Sequence, residues 1–184
     1  MNENMSKARA LLRKHDINCA IVSDLRNIRY ISGFSGSSGL LLLFSDRAIL
    51  YIDSRYEEQA MQQAACCHVQ RHGDDVLDDL GKELAAHDKI AFEGKYVSVD
   101  RFNRMQSRMP GKTWTTVDFD VLRAVKSREE LVLIEAAVQL ADRAFAVLLE
   151  HLRVGMTENE AAGFLEFQLR KLGASGTAFS IIVA

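Results

Sequence analysis

The densest group of potential metal ligands lies between residues 68 and 79. It comprises two histidines and four aspartates: His68, His72, Asp74, Asp75, Asp78 and Asp79. Metal ligands are normally held rigid by a surrounding shell of hydrogen bonds, and the neighbouring sequence predicts no such shell. Carboxylates at the start of a helix are in any case favoured by the helix dipole. We therefore interpret this group as a solvated, acidic helix start, and we assign no metal ligand and no catalytic residue in the sequence.

A second candidate is the glycine- and serine-rich segment 33–39, in which glycines recur at every third position. This pattern is neither the dinucleotide-binding fingerprint nor the P-loop, and it precedes a strand rather than opening a helix. Its three serines lack the strand–turn–helix elbow of a catalytic nucleophile, and no base is evident for them. A loop that requires unusual backbone angles explains the composition better than a phosphate cradle.

The three cysteines are Cys19, Cys66 and Cys67, and they form neither a disulfide framework nor a CxxC pair. Cys19 lies in an apolar run and is expected to be a small core residue. The vicinal pair could be redox-active, although burial in a strand is the commoner fate of such residues. This use of cysteine is typical of a reducing compartment, so we expect a cytoplasmic protein.

Composition excludes two classes of partner. The 184 residues are 48% hydrophobic and 26% charged, with a formal net charge of -2, which is ordinary for a globular domain with a real core. No basic tract indicates nucleic-acid binding. The longest apolar run, 40–44, is far shorter than the roughly 20 residues that span a membrane.

Short apolar runs alternate with helical periodicity over the first 124 residues. Strands are predicted at 19–22, 40–44, 48–52, 67–70, 89–92 and 114–117. Helices are predicted at about 8–15, 24–31, 54–65, 76–84 and 98–110. Because a tight turn at 45–47 joins two of the strands, the pattern predicts an α/β domain with a mixed sheet that contains one antiparallel hairpin.

The character of the sequence changes at about residue 124, so the predicted domains are 1–124 and 125–184. Two long amphipathic helices follow, and each begins with a capping box, Ser127 with Glu130 and Thr157 with Glu160. The apolar run 177–184 is then interpreted as a buried strand. Since domains rarely end on their most apolar stretch, we expect this sequence to belong to a longer protein.

Segment 30–39, with the sequence YISGFSGSSG, resembles the N-terminal domain of bacterial Xaa-Pro peptidases of the creatinase/prolidase/aminopeptidase P family. The resemblance covers almost the whole chain, and the matching segments occur in the same order as in the family. It continues through YIDSRY at 51–56, IAFEG at 90–94, LRAVKS at 122–127, GMTE at 155–158 and GASGTAFSIIVA at 173–184.

This resemblance implies an N-terminal α/β domain of ribonuclease-H-like topology, followed by two helices and a strand of an incomplete "pita-bread" catalytic domain. In such enzymes two Asp, one His and two Glu hold two divalent ions (Mn, Co or Zn), which activate a water that attacks the bond before proline. These ligands follow the segment that matches 179–184. No residue of this sequence therefore inherits a metal-ligand role, and the chain alone is predicted to be inactive.

The family also implies a homodimer that acts on proline-containing peptides, with the N-terminal domain bordering the partner's cleft. We assign this substrate-access or dimer-interface role to the loop 30–39, and in particular to Tyr30, Phe34, Ser35 and Ser37. Phe34 is a candidate apolar anchor on a mobile loop. The alternative is a plain surface turn with Phe34 folded into its own core.

Three functions follow as hypotheses. The first is the N-terminal portion of a proline-specific metallopeptidase, although a creatinase-like hydrolase shares the same architecture. The second is a stand-alone, non-catalytic module for dimerisation or protein binding. The third is an unrelated nuclease of the ribonuclease-H topology that uses Asp24 or Asp53, but the spacing of the carboxylates does not favour it.

Overall fold

The computed structural model describes residues 2–184. The chain divides into two compact units, the first ending at Val125 and the second comprising Lys126–Ala184. The first unit contains a six-stranded sheet. Its strands are β1 (Cys19–Val22), β2 (Leu40–Phe44), β3 (Ala48–Ile52), β4 (His68–Arg71), β5 (Lys89–Phe92) and β6 (Thr113–Thr116).

Four of the five helices described in the first unit begin at a residue whose side chain caps them; the helix that begins at Glu57 is the exception. Asn2, Asp24, Asp75 and Ser98 accept hydrogen bonds from backbone N–H groups of the first turns, which have no partner within the helix. The helices are α1 (Glu3–Lys14), α2 (Leu25–Ser32), α3 (Glu57–Gln63), α4 (Val76–Glu83) and α5 (Val99–Arg108). Short 3-10 turns occupy Ser54–Tyr56 and Asp120–Arg123.

The strand order is β4-β3-β2-β1-β5-β6. Strand β2 pairs antiparallel with both β1 and β3. The other three pairs are parallel: β1 with β5, β5 with β6, and β3 with β4. This confirms the predicted mixed sheet with one hairpin. Because β1, β5 and β6 run in the same direction, their carboxyl ends meet at one edge of the sheet.

Both faces of the sheet are covered, so β2 is buried at all five positions. Leu41 and Leu43 pack in the cluster that includes apolar side chains of α1 and α2. Leu40, Leu42 and Phe44 pack in the cluster that includes side chains of α4 and α5. Alternation of side chains along the strand explains the division.

Several predicted bounds differ from the structure. Helix α1 begins at Glu3 rather than at about residue 8, and β6 covers Thr113–Thr116 rather than 114–117. The helix predicted at 54–65 is a 3-10 turn followed by α3, which ends at Gln63. Strand β4 begins at His68, so Cys66 and Cys67 lie in the turn before it rather than in a strand.

The second unit consists of α6 (Arg128–His151), α7 (Glu158–Lys171) and the segment after them. Both predicted capping boxes are present. The strand predicted at 177–184 is wrong, because this segment has no helical or strand structure, and Phe179 and Ile182 are 75% and 84% exposed. A strand needs a neighbouring strand for its backbone hydrogen bonds, and residues 126–184 provide none.

Across residues 2–184, no helix is both long and apolar enough to cross a bilayer.

Candidate functional site

The glycine-rich loop begins where α2 ends. Gly33 has a φ of 88°, a left-handed conformation that favours glycine, and a Cβ at this position would lie 2.8 Å from the carbonyl oxygen of Gln63. The loop therefore starts in close contact with the end of α3. Both the backbone angle and this contact explain why a glycine occupies the position.

Phe34 is buried in the core of its own unit, with a side chain that is 1% exposed. Its ring lies edge-on to the ring of Tyr56, with centroids 5.8 Å apart. A Cβ at Gly36 would lie 2.2 Å from Cζ of Phe34, so the backbone of the loop crosses directly over the ring. The sequence left open whether Phe34 is an anchor on a mobile loop or is folded into its own core, and the structure has the second arrangement. The role of the loop itself stays a prediction.

The two candidate serines are exposed, and hydrogen bonds hold Ser35 to α3 and Ser37 to the 3-10 turn before it. The backbone N–H and the hydroxyl of Ser35 both donate to Oε1 of Gln63, at 2.9 and 3.1 Å, and Nε2 of Gln59 donates to the hydroxyl of Ser35 at 3.1 Å. The hydroxyl of Ser37 is hydrogen-bonded to that of Tyr56. The outer face of the loop is therefore polar and held in a defined conformation.

A charged pair lies beside the loop. The carboxylate of Asp53 caps the 3-10 turn through the N–H of Arg55, and it accepts hydrogen bonds of 3.0 and 2.9 Å from the guanidinium of the same residue. These hydrogen bonds from Arg55, with a smaller contribution from Ser38, lower the pKa of Asp53 to about 2. A cavity of about 440 Å³ opens next to this pair, between the ends of β3 and β4.

Tyr30 lies apart from the other three candidates. Its hydroxyl donates to the carbonyl oxygen of Leu122 at 2.9 Å, and its ring packs against the core. The structure therefore brings Phe34, Ser35 and Ser37 together at the loop and places Tyr30 against the end of the first unit.

Sequence reasoning missed a buried carboxylate at the edge where β1 and β5 end. Glu93 is 1% exposed, and its Oε2 accepts hydrogen bonds from the backbone N–H groups of Ser23 and Asp24. Its Oε1 accepts a hydrogen bond of 2.7 Å from Nδ2 of Asn27. Burial raises the pKa of Glu93 above its ordinary value. The sequence signal was a glutamate directly after an apolar strand, inside one of the motifs that carry the family resemblance.

Asn27 connects this carboxylate to the 3-10 turn at the end of the first unit. Asp120 accepts hydrogen bonds from the hydroxyl of Tyr96, from Nδ2 of Asn27 and from the guanidinium of Arg123. Nε of Arg123 in turn donates to Oδ1 of Asn27 at 2.7 Å. The hydrogen bonds from Tyr96 and Asn27 hold the pKa of Asp120 far below its usual range. We call these residues, together with Glu93, the connector network.

Two aspartates of the group at 68–79 form hydrogen bonds with the backbone and ion pairs with basic side chains. Asp75 caps α4 and forms ion pairs with Arg104 and Arg108 of α5, at 3.0 and 3.3 Å. Asp79 accepts a hydrogen bond from the backbone of Gly73 and pairs with Lys82. In the described part of the chain, no group of three or more His, Cys, Asp or Glu could hold a metal ion. These residues do not fit a dinuclear metal centre.

The nuclease hypothesis required Asp24 or Asp53 to hold a metal. Asp24 caps α2 and forms a bidentate pair with Arg26, and Asp53 is paired with Arg55 in the same way. In each case the carboxylate oxygens already accept hydrogen bonds from the backbone of the following helical turn and from a neighbouring arginine.

The order of elements and the two units correspond to known protein families. Residues 5–125 match the creatinase/prolidase N-terminal domain, and residues 132–184 match metallopeptidase family M24. The chain therefore belongs to the creatinase/prolidase family, with the N-terminal domain followed by the start of the peptidase domain. The resemblance recognised in the sequence is confirmed.

Three relatives show the extent of the similarity. The uncharacterized peptidase YqhT of Bacillus subtilis is 31% identical over 98% of this chain, which spans 52% of that protein. The structure of a Xaa-Pro dipeptidase from Bacillus anthracis matches with a TM-score of 0.92 and 28% identity, over 99% of this chain and 52% of that one. The N-terminal domain of the cytoplasmic peptidase PepQ from Mycobacterium tuberculosis matches with a TM-score of 0.61 and 31% identity, over 67% of this chain and 100% of that one. The chain thus spans about half the length of its full-length relatives.

Proposed function

We propose that this chain is the N-terminal portion of a proline-specific metallopeptidase that hydrolyses Xaa-Pro bonds in the cytoplasm. The observation that carries the proposal is the match of both units, in order, to the Bacillus anthracis Xaa-Pro dipeptidase over 99% of the chain. In this proposal the domain boundary falls at 124–125, and the first domain is a scaffold rather than a catalyst.

The metal centre belongs to the other half of the enzyme in this proposal. Two divalent ions (Mn, Co or Zn) would lower the pKa of a bound water and stabilise the charge that develops during attack on the bond before proline. The described residues contain no ligand group for such ions, so they contribute structure and access rather than a catalytic step.

The glycine-rich loop has the second role in the proposal. In a homodimer, its exposed face would border the partner's cleft and restrict access to short, proline-containing peptides. Three features support this role: the exposed Ser35 and Ser37, the exposed guanidinium of Arg55 beside them, and the rigid support from α3. A loop held in one conformation can exclude a long substrate, whereas a mobile one would yield to it.

The absence of a metal-ligand group among the described residues also favours a second candidate. This is a stand-alone, non-catalytic module that dimerises or binds proteins. The continuation of the reading frame beyond codon 184 distinguishes the two. The peptidase proposal expects two Asp, one His and two Glu as ligands there, together with hydrolysis of Xaa-Pro peptides in preference to matched Xaa-Ala peptides. A stop codon would favour the module, and hydrolysis of creatine without peptide cleavage would overturn the peptidase assignment.

The 184-residue chain by itself should hydrolyse neither Gly-Pro nor Xaa-Pro-Xaa peptides. The reason is that no described group of residues can hold an ion that activates water. The assay adds Mn²⁺, Co²⁺ or Zn²⁺ in turn and measures the release of the N-terminal amino acid. Turnover above a metal-only blank, lost on mutation of residues within the chain, would contradict the expectation.

The access role is tested in the full-length enzyme by Ser37→Trp. A bulky side chain on the exposed face should raise KM for tri- and tetrapeptides by at least about tenfold, or weaken the dimer, and should change KM for dipeptides much less. Ser107→Trp is the matched control, because Ser107 is an exposed serine on α5. Equal effects of the two substitutions on all peptide lengths, with an unchanged dimer, would contradict the role. Phe34→Ala is unsuitable, since truncating a buried Phe costs about 3–5 kcal/mol of stability.

A further inference from the structure

The turn between α3 and β4 carries two adjacent free thiols, Cys66 and Cys67. Their Sγ atoms are 3.8 Å apart, and Cys66 is exposed while Cys67 is partly buried. The thiol of Cys66 donates to the carbonyl oxygen of Ser32 at 3.5 Å, and Nδ2 of Asn2 donates to its sulfur at 3.7 Å. The sulfur of Cys66 is therefore held in place, facing Cys67 and open to solvent.

Two common uses of paired thiols do not fit this geometry. Adjacent Cα atoms are about 3.8 Å apart, whereas disulfides usually require roughly 4.4–6.8 Å, so a disulfide here would be strained. A structural zinc site needs four ligands, and within residues 2–184 no group of three or more His, Cys, Asp or Glu offers them.

A single atom that bridges the two sulfurs fits better. Two bonds of about 2.3 Å, the zinc–thiolate length, span sulfurs roughly 3.5 Å apart at the narrower angle of a pyramidal trivalent centre. The observed separation is 3.8 Å, so a small rotation of the exposed Cys66 side chain brings both sulfurs within reach of one atom. Trivalent arsenic that carries one organic group forms bonds to sulfur of similar length, and it completes its coordination with only two sulfurs. We propose that Cys66 and Cys67 form a binding site for monosubstituted trivalent arsenicals.

The reaction is a condensation without electron transfer. The ligand R–As(OH)₂ forms two As–S bonds, while two S–H and two As–OH bonds break and two waters leave, and arsenic stays trivalent. Burial, with a contribution from Cys66, raises the pKa of Cys67 to about 12. Because the thiolate is the attacking form of a cysteine, the exposed Cys66 should form the first As–S bond and Cys67 the second. The second bond is intramolecular and gains the advantage of a high effective concentration.

The probe is phenylarsine oxide, added to the full 184-residue chain that has been reduced with a phosphine and checked by circular dichroism. Intact-mass measurement should show one phenylarsenic group per chain, which a dithiol removes and a monothiol at the same concentration does not. Cys66→Ser and Cys67→Ser should each weaken binding by at least about a hundredfold. Cys19→Ala is the matched control and should bind like the wild type, because Cys19 is buried in the core.

A second measurement needs no substitution. Bound phenylarsine oxide should protect both Cys66 and Cys67 of the wild type from alkylation, as located by peptide mapping. Retention of the group in either serine variant would overturn the proposal. So would a folded wild type that takes up no arsenic while the urea-unfolded chain does.

Discussion

At the scale of single residues, Gly36 sets the packing of the glycine-rich loop, because it lies directly over the buried ring of Phe34. Gly36→Ala should lower the free energy of unfolding by about 1–3 kcal/mol, the usual cost of overpacking a core. The new Cβ would lie 2.2 Å from Cζ of Phe34, so either the ring or the loop must move. Urea denaturation of the chain, followed by circular dichroism, measures the difference.

Gly81→Ala is the matched control for this prediction. Gly81 lies in α4 of the same unit, and its added Cβ would meet only Cγ of Met109, at 3.9 Å. Replacing glycine by alanine within a helix should raise the free energy of unfolding by about 0.5–1 kcal/mol. If both substitutions shift the urea midpoint in the same direction, the ring of Phe34 does not constrain Gly36.

At the scale of elements, the 3-10 turn at 120–123 depends on the carboxylate of Asp120. Asp120→Asn should lower the free energy of unfolding by about 1–2 kcal/mol at pH 7, since hydrogen bonds to a charged group are among the stronger ones. The pKa of Asp120 is lowered in the folded state, so its contribution is present above the unfolded pKa and is lost as the pH falls through the folded value. The difference in free energy of unfolding between wild type and variant should therefore decrease below about pH 4.

The measurement is urea denaturation between pH 2.5 and 7. Asp118→Asn is the matched control. Among the described residues, Asp118 forms its ion pair with the exposed Lys95, and an asparagine keeps the oxygen that accepts from the N–H of Asp120. Exposed ion pairs contribute little to stability, so this variant should differ from wild type by less than about 0.5 kcal/mol. If the free energies of unfolding of wild type and Asp120→Asn differ by the same amount at every pH, the ionised carboxylate of Asp120 does not stabilise the turn.

The elements also show what the sequence could predict. The bounds of β1, β2, β3 and β5 and the two capping boxes were predicted correctly, because each depends on a few neighbouring residues. The strand at 177–184 was wrong, because an apolar run becomes a strand only where another strand can pair with it. The connector network was missed because Asn27, Glu93 and Asp120 come from three distant segments, and no local pattern joins them. The side chain of Phe34 was left undecided for the same reason.

At the scale of the whole molecule, the two units differ in how completely they bury their apolar residues. The first has helices on both faces of its sheet. In the second, only Ala144 and Leu148 of the 24-residue helix α6 are buried, and Leu133 is 70% exposed. Each fully buried large apolar side chain contributes about 1.5–3 kcal/mol, so the exposed face of α6 favours association.

The chain should therefore self-associate through residues 126–184, whereas a 1–125 truncation should fold and stay monomeric. Light scattering on both proteins, with urea denaturation of the truncation, measures this. A full chain that is a monodisperse monomer with a protease-resistant 126–184 segment would contradict the prediction. So would a truncation that fails to unfold cooperatively.

The buried carboxylate of Glu93 has a consequence for how the first unit reaches its fold. The hairpin of β2 and β3 joins neighbouring segments and can form early. Pairing β1 with β5 instead closes a loop of about 70 residues, and the entropy lost in closing it must be offset by the contacts that form afterwards. In the native register Ala20 lies opposite Ala91 and Ile21 opposite Phe92. A slip by one residue would remove Glu93 from the amides of Ser23 and Asp24, and a buried carboxylate without partners is costly. We therefore expect Glu93 to disfavour pairings of β1 with β5 that are out of register.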